Sequence, residues 1–589
     1  MRTNRKTEEK KMSMSKNIAR LAVTAGLTAA LSFGGVMAPV TMAFAAEGGQ
    51  GSITINKVVD KNAGNKFKAY QIFKAKVVDK EGEGKVASDV KWANNAIASK
   101  VITAIKGSTQ YKALVKKDAA KGLKEGASAS DVAEWLSQNV NGVASTASSG
   151  EGTRVAPGDV LYEIAAAVSG MKQGVEAETA AGDLEADKSW TRPDPNEDGL
   201  YGDGYYLFVS DGLTNQAKPN TGTSPIFALV GGDPVTVTEK TSIPTVNKEV
   251  REGTTWGKMS DSYIGEEVEY KLTGSVASNI DTFTKYEYSF HDHLSVGLEA
   301  IKDSVNVEID GKPTNACTVD LAGTKDASGN LTGGQDLTIS FSDLKAAATA
   351  AGVTLTGDSK VVVTYKAKLT DKAEYKGTGN TNEVELVYSN NPMTGDKGTS
   401  EFDKVSDYVF GLDVTKTDPD NESVNLVAGF KVKMIQEGTK KTVSKWLKQD
   451  GSFTDDEKQA YTFETTGEGN KVFIPGLVAG TYLISESKTP AGYNTIADFE
   501  ITVTPTYNAT GMLTELKAEP SSGMVTGADV KNPTTTQIPI TIQNKKGSGL
   551  PLTGLNGVTF TWIAGGAVLC IGVAHLIRSR KQAEESDQE

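Results

Sequence analysis

Short runs in which apolar and polar residues alternate recur along this chain of 589 residues, and they constrain its fold more than any other feature. Val268-Glu269-Tyr270-Lys271-Leu272, Gly429-Phe430-Lys431-Val432-Lys433-Met434 and Phe499-Glu500-Ile501-Thr502-Val503-Thr504 are examples. Successive side chains of a strand face opposite sides, so such a run buries one side and wets the other. Val305-Asn306-Val307-Glu308-Ile309 and Val361-Val362-Val363-Thr364-Tyr365 add the β-branched residues that strands favour. The runs are bounded by Gly, Pro, Asn and Asp, which turn the chain. Many short, one-sided strands need a second sheet to cover them, so the expected class is mainly β, with immunoglobulin-like sandwiches in tandem. No repeat of fixed short period is present, which excludes a solenoid.

The runs fall into three regions, 47–244, 245–407 and 408–546. The first combines strands such as Lys68-Ala69-Tyr70-Gln71-Ile72-Phe73 and Gly204-Tyr205-Tyr206-Leu207-Phe208-Val209 with helical patterns. One pattern spans about residues 88–105, with Ile97, Val101 and Ile105 on one face. A short one lies around Val132–Leu136. Another follows Asp159 as N-cap and ends before Gly170. This region is expected to be a sandwich with helical insertions. In the second region a short helix is expected at Ser342–Ala351.

The flanking segments have a different chemistry. Met1 to Arg20 is basic, Leu21 to about Met42 is apolar, and Ala43-Phe44-Ala45-Ala46 offers small residues at signal-peptidase spacing. Residues 1–46 are therefore expected to be a secretory signal peptide. At the other end, Leu550-Pro551-Leu552-Thr553-Gly554 precedes an apolar stretch, Val558 to Ile577, and then Arg578, Arg580 and Lys581. That stretch is long enough to span a bilayer, and the basic residues suit its cytoplasmic side. The pentapeptide resembles the LPxTG sorting signal of Gram-positive wall proteins. The resemblance implies cleavage between Thr553 and Gly554 by a sortase, with transfer of the threonine carbonyl to an amine. Residues 547–589 are expected to be the sorting signal, membrane anchor and basic tail.

The chain has two cysteines. Cys570 lies in the segment a sortase would discard, which leaves Cys317 alone and no internal disulfide. Exported proteins commonly carry a covalent cross-link, so the search turns to lysine and asparagine. The net charge of −12 argues against nucleic-acid binding.

In the third region, Leu412-Asp413-Val414-Thr415-Lys416-Thr417-Asp418 comes first. Tyr482-Leu483-Ile484-Ser485-Glu486-Ser487-Lys488-Thr489-Pro490 follows, and Ile540-Thr541-Ile542-Gln543-Asn544-Lys545-Lys546 closes it. In that order they resemble the first strand, the E-box and the last strand of a CnaB-type domain. The resemblance implies an isopeptide bond between Lys416 and Asn544, catalysed by Glu486. The chemistry needs burial. A lysine at its ordinary pKa is protonated and not nucleophilic, while an apolar setting lowers that pKa. The carboxyl polarises the Asn544 amide, the neutral amine attacks, and ammonia leaves once.

The second region carries a looser set. Thr245-Val246-Asn247-Lys248-Glu249-Val250 opens it, Ser289-Phe290-His291-Asp292-His293-Leu294 follows, and Gly379-Asn380-Thr381-Asn382-Glu383-Val384 leads to Asn390-Asn391-Pro392. These resemble the second domain of pilin backbone subunits, where Lys, Asp and Asn form another isopeptide bond. The resemblance carries Lys248 and Asp292 over. The asparagine is open among Asn380, Asn382, Asn390 and Asn391, with Asn382 chosen because it can begin a strand and point inward. His291 and His293 share a strand face but find no third ligand, so no metal site is expected. At the junction of the first two regions, Val237-Thr238-Glu239-Lys240-Thr241 resembles the pilin motif and puts Lys240 where pilins carry the lysine that joins subunits. Thr238-Glu239 replaces the Tyr-Pro of that motif, and Lys248 is the alternative for the role.

Together these resemblances imply CnaA/CnaB-type sandwiches in a Gram-positive sortase-assembled backbone pilin. Its subunits would be joined Thr553 to Lys240 and braced by two internal Lys–Asn bonds, in a peptidoglycan-anchored surface fibre supporting adhesion. The implied partners are pilus-specific and housekeeping sortases, other copies of the chain, minor pilins and peptidoglycan. Host receptors are a further class that the sequence does not identify. No cofactor is implied, and no G-x-S-x-G, H-E-x-x-H or P-loop pattern marks an enzyme. The alternative is a monomeric wall-anchored adhesin with the same domains.

Overall fold

The computed structural model of the chain describes residues 51–547, apart from 59, 63, 81–83, 141–154, 172–174, 196–201, 214–218, 240, 328–330, 422–423, 425, 439–440 and 467–468. The expected signal peptide, Lys240 and the pentapeptide with its apolar span and basic tail lie outside the described residues. Among the described residues no helix is long and apolar enough to cross a membrane.

The fold is mainly β, with sheets stacked in pairs along the chain. In the first region Ser52–Asn56 pairs parallel with Val235–Thr238, so the region's opening and closing strands lie side by side. A second sheet is built on the long strand Lys66–Lys80 and on Gly204–Asp211. Ile53, Ile55, Phe67, Tyr206 and Phe208 fill the space between the two sheets. Four helices, Asn95–Gly107, Thr109–Lys117, Ala129–Asn139 and Val160–Val168, cover the outer face of the second sheet, over Tyr70, Ile72 and Phe73.

The helix expected from residue 88 starts later. Gly84–Trp92 is a strand hydrogen-bonded to Lys66–Lys80, and the helix begins at Asn95. Asn94 fixes that start, because its side chain accepts the N–H of Ile97 at 2.7 Å. Ala129–Asn139 is longer than the expected stretch and opens with a capping box made by Ser128 and Asp131. Thr109–Lys117 was not expected, and it has no buried residue to give it an apolar stripe. In the second region Leu344–Ala350 forms the expected short helix.

The second and third regions are sandwiches. Two large sheets of the second region enclose Tyr270, Leu272, Phe290, Leu337, Val363 and Leu386. In the third, Phe410–Thr417 and the closing strand Gln537–Gln543 run parallel in one sheet, facing another that contains Gly429–Glu437 and Gly480–Lys488. The regions also touch one another. Met393 of the second enters the core of the first, and Asn390 Nδ2 donates to Asn220 Oδ1 at 2.9 Å. Between the second and third, Ala479 N–H donates to Asp261 Oδ1 at 2.9 Å.

Candidate isopeptide sites

Among the described residues, Lys248 and Lys416 are the two lysines with no exposed surface. A lysine is almost never fully buried without a partner, and each of these has one.

Lys416 is near the end of Phe410–Thr417, opposite Ile542 of the parallel closing strand. Asn544 lies just past that strand and is anchored by its N–H to the Thr417 carbonyl at 3.1 Å. Lys416 Nζ meets Asn544 Oδ1 and also donates to the Ile542 carbonyl at 3.3 Å. Glu486 comes from the opposite sheet, on Gly480–Lys488, paired to Phe430. Asn544 Nδ2 donates to its Oε1 at 2.9 Å and Oε2 at 3.0 Å, and to the Asn494 carbonyl at 2.9 Å. Glu486 Oε1 is 3.9 Å from Lys416 Nζ. Ile496 N–H holds Oε2 at 3.0 Å. Burial pushes the Lys416 amine down to about 8, against an opposing pull from Glu486. An appreciable neutral fraction therefore exists near neutral pH. The carboxyl touches the amide nitrogen that would leave and approaches the amine that would attack.

The second set sits between two sheets. Lys248, on Val246–Glu252, belongs to one; Asp292, on Tyr288–Leu294, and Asn382, on Asn380–Ser389, belong to the other. Lys248 Nζ meets Asp292 Oδ1, and both side chains are wholly buried. Burial pushes Lys248 down to about 8, and pushes Asp292 up. Both shifts favour the neutral pair. Tyr365 completes the cluster from the lysine's sheet. Its hydroxyl donates to Asp292 Oδ2 at 2.6 Å and accepts from Asn382 Nδ2 at 2.7 Å. Lys248 Nζ donates to it at 3.3 Å. The Tyr365 ring stacks on Tyr270 with centroids 5.3 Å apart.

The other asparagines have different tasks. Asn380 Oδ1 accepts the Glu374 N–H at 2.8 Å. Asn390 joins Asn220, and Asn391 Nδ2 donates to the Ser210 carbonyl at 3.2 Å. His291 and His293 point outward, with His293 Nδ1 2.8 Å from Asp336 Oδ1. No group of three metal-ligating side chains forms among the described residues. Beside Lys240, Glu239 is buried and accepts from Asn62 Nδ2 at 2.8 Å. Burial pushes its carboxyl up to about 7.

Sequence reasoning missed Tyr365, of which only the inward direction was readable. In Val361-Val362-Val363-Thr364-Tyr365, alternation puts Tyr365 on the same inward face as Val361 and Val363.

Residues 411–516 match the family described as SpaA, a prealbumin-like fold domain. No curated protein matches the chain. Among solved structures, the chain is similar to the T6 backbone pilin of serotype M6 Streptococcus pyogenes, at 14% identity and TM-score 0.47 over 85% of this chain and 100% of that one. It is also similar to the Corynebacterium diphtheriae major pilin SpaA, at 13% identity and TM-score 0.42 over 84% and 100%. The full-length major pilin SpaD from the same organism gives 15% identity and TM-score 0.42 over 86% and 100%.

Proposed function

We propose that this chain is the backbone subunit of a covalent surface pilus, braced by Lys416–Asn544 and Lys248–Asn382 isopeptide bonds formed once, without turnover. The observation that carries this reading is the burial of both lysines against an amide and a carboxyl. Solvated lysines serve a soluble surface at no cost, whereas an uncompensated buried ammonium costs several kcal/mol on the order of a fold's whole stability. Converting the amine to an amide removes that charge for good. In this reading Glu486 of the third region takes a proton from Lys416 and returns one to the departing Asn544 nitrogen, supported by its contacts to both side chains.

Assembly belongs to the same reading. A sortase would hold one subunit at Thr553, and the Lys240 amine of the next copy would take over the acyl group. The housekeeping sortase would pass the finished fibre to peptidoglycan, with minor pilins added to the shaft. The match of residues 411–516 to a prealbumin-like domain supports the third region's part in this. The test is a denaturing gel of wall extracts from cells expressing the full chain. A ladder of boiling-resistant multimers is expected; a single monomeric band would leave a wall-anchored adhesin.

A further inference from the structure

The two candidate sites solve the same chemical problem with carboxyls of different length. In the third region Glu486 reaches the amide nitrogen of Asn544 directly, through both oxygens. In the second region the shorter Asp292 spends Oδ1 on Lys248 and Oδ2 on Tyr365. Asn382 Nδ2 meets the Tyr365 hydroxyl instead, and Asn382 Oδ1 has no hydrogen-bond partner among the described residues. The phenol therefore fills the gap that the missing methylene leaves.

We infer that Tyr365 is a catalytic residue of the second region, carrying a proton between Asp292 and the departing nitrogen of Asn382. This rests on the reading of Lys248 and Asn382 as a bonded pair. The neutral Lys248 amine attacks Asn382 Cγ, forming the new C–N bond, and gives a proton to Asp292 Oδ1. In the tetrahedral adduct the Asn382 nitrogen gains a free lone pair. The Tyr365 hydrogen turns from Asp292 to that nitrogen and is given to it, and the now-protonated Asp292 returns a proton to the Tyr365 oxygen. The old C–N bond breaks and ammonia leaves. Asp292 and Tyr365 end in the protonation states in which they began, and the products are one amide and one ammonia. Burial raises the phenol well above its ordinary range, so it serves as a neutral hydroxyl that donates on one side and accepts on the other.

The stacked ring of Tyr270 fixes the hydroxyl's direction, and Lys248 Nζ lies over both rings, 5.5 Å and 5.6 Å from their centroids. Tyr365→Phe keeps this packing and removes only the oxygen.

The experiment follows the mature chain during cell-free synthesis, digesting samples over time and weighing the cross-linked peptides of each region. In Tyr365→Phe the Lys248–Asn382 peptide should form about 100-fold more slowly, the usual worth of a positioned proton carrier. The Lys416–Asn544 peptide should form at the original rate in the same molecules, which reports an intact fold. Fluorotyrosine at position 365 should restore the reaction at a rate that changes with hydroxyl acidity, which packing alone would not produce. An unchanged rate in Tyr365→Phe overturns the inference while leaving the bond in place. Absence of the Lys248–Asn382 peptide from the unsubstituted chain overturns the bond and the inference together.

Discussion

Lys416 and Asn544 stand 128 positions apart, yet their side chains meet in the core, at the ends of two strands that lie parallel and adjacent. If they bond, the unsubstituted chain lacks one ammonia per site and weighs two ammonia less than its sequence. Glu486→Ala should restore one of them and leave the other. Losing a cross-link that closes so long a loop costs about 4–5 kcal/mol in the chain-entropy account. At roughly 2–4 °C per kcal/mol for a region of this size, its melting transition should fall by about 10 °C or more. Intact mass and calorimetry on the same sample decide both points; a full-length mass with no deficit would sink the assignment.

The second region separates four asparagines. Asn382→Ala should restore exactly one ammonia's mass in its region, whereas Asn380→Ala, Asn390→Ala and Asn391→Ala should keep the deficit. The last three remove hydrogen bonds and should cost about 1–3 kcal/mol each if they leave a buried group unpaired. A deficit that persists in Asn382→Ala refutes the pairing.

Two buried carboxyls, Glu239 and Asp407, and the half-buried Glu266 make stability depend on pH. Burial raises Glu239, Glu266 and Asp407 to about 7 each. The folded chain therefore holds protons that the unfolded chain has already released. Stability is fullest below the ordinary carboxylate range and declines as pH rises through 7. Asp407 accepts from the hydroxyls of Ser260 at 2.7 Å and Ser262 at 2.9 Å, both through Oδ1, while Oδ2 has no partner among the described residues. Asp407→Asn should flatten the decline. Melting temperatures of both forms across mildly acid to mildly alkaline buffers test this, and equal slopes would count against it.

Lys240→Ala should abolish the boiling-resistant ladder while leaving both internal bonds, since neither lysine of those bonds is altered. A ladder that survives would move the acceptor to another lysine.

Much of the fold was legible because strand alternation and burial obey the same period of two. Lys248 and Lys416 were named through the resemblance of their segments to isopeptide-forming domains, and each stands on an otherwise apolar inward face. Residues 88–92 misled because Ala87 and Val90 fit a helical spacing as well as a strand, and only pairing with the long strand decides between them. Tyr365 was hidden for another reason. It lies on a strand 117 positions from Lys248, and nothing local marks a buried tyrosine as more than core. Asn382 was preferred among the four asparagines for its place near the start of a strand, and only the opposed sheets bring it within reach of Tyr365 in the cluster around Lys248.

The parallel pairing of the opening and closing strands of the third region has a mechanical consequence. With the contact between Lys416 and Asn544 closed covalently, tension drawn along the chain would enter at Phe410–Thr417 and leave just beyond Gln537–Gln543. The sheets between those two points would be carried as slack, and the force would never reach the hydrogen bonds that hold them.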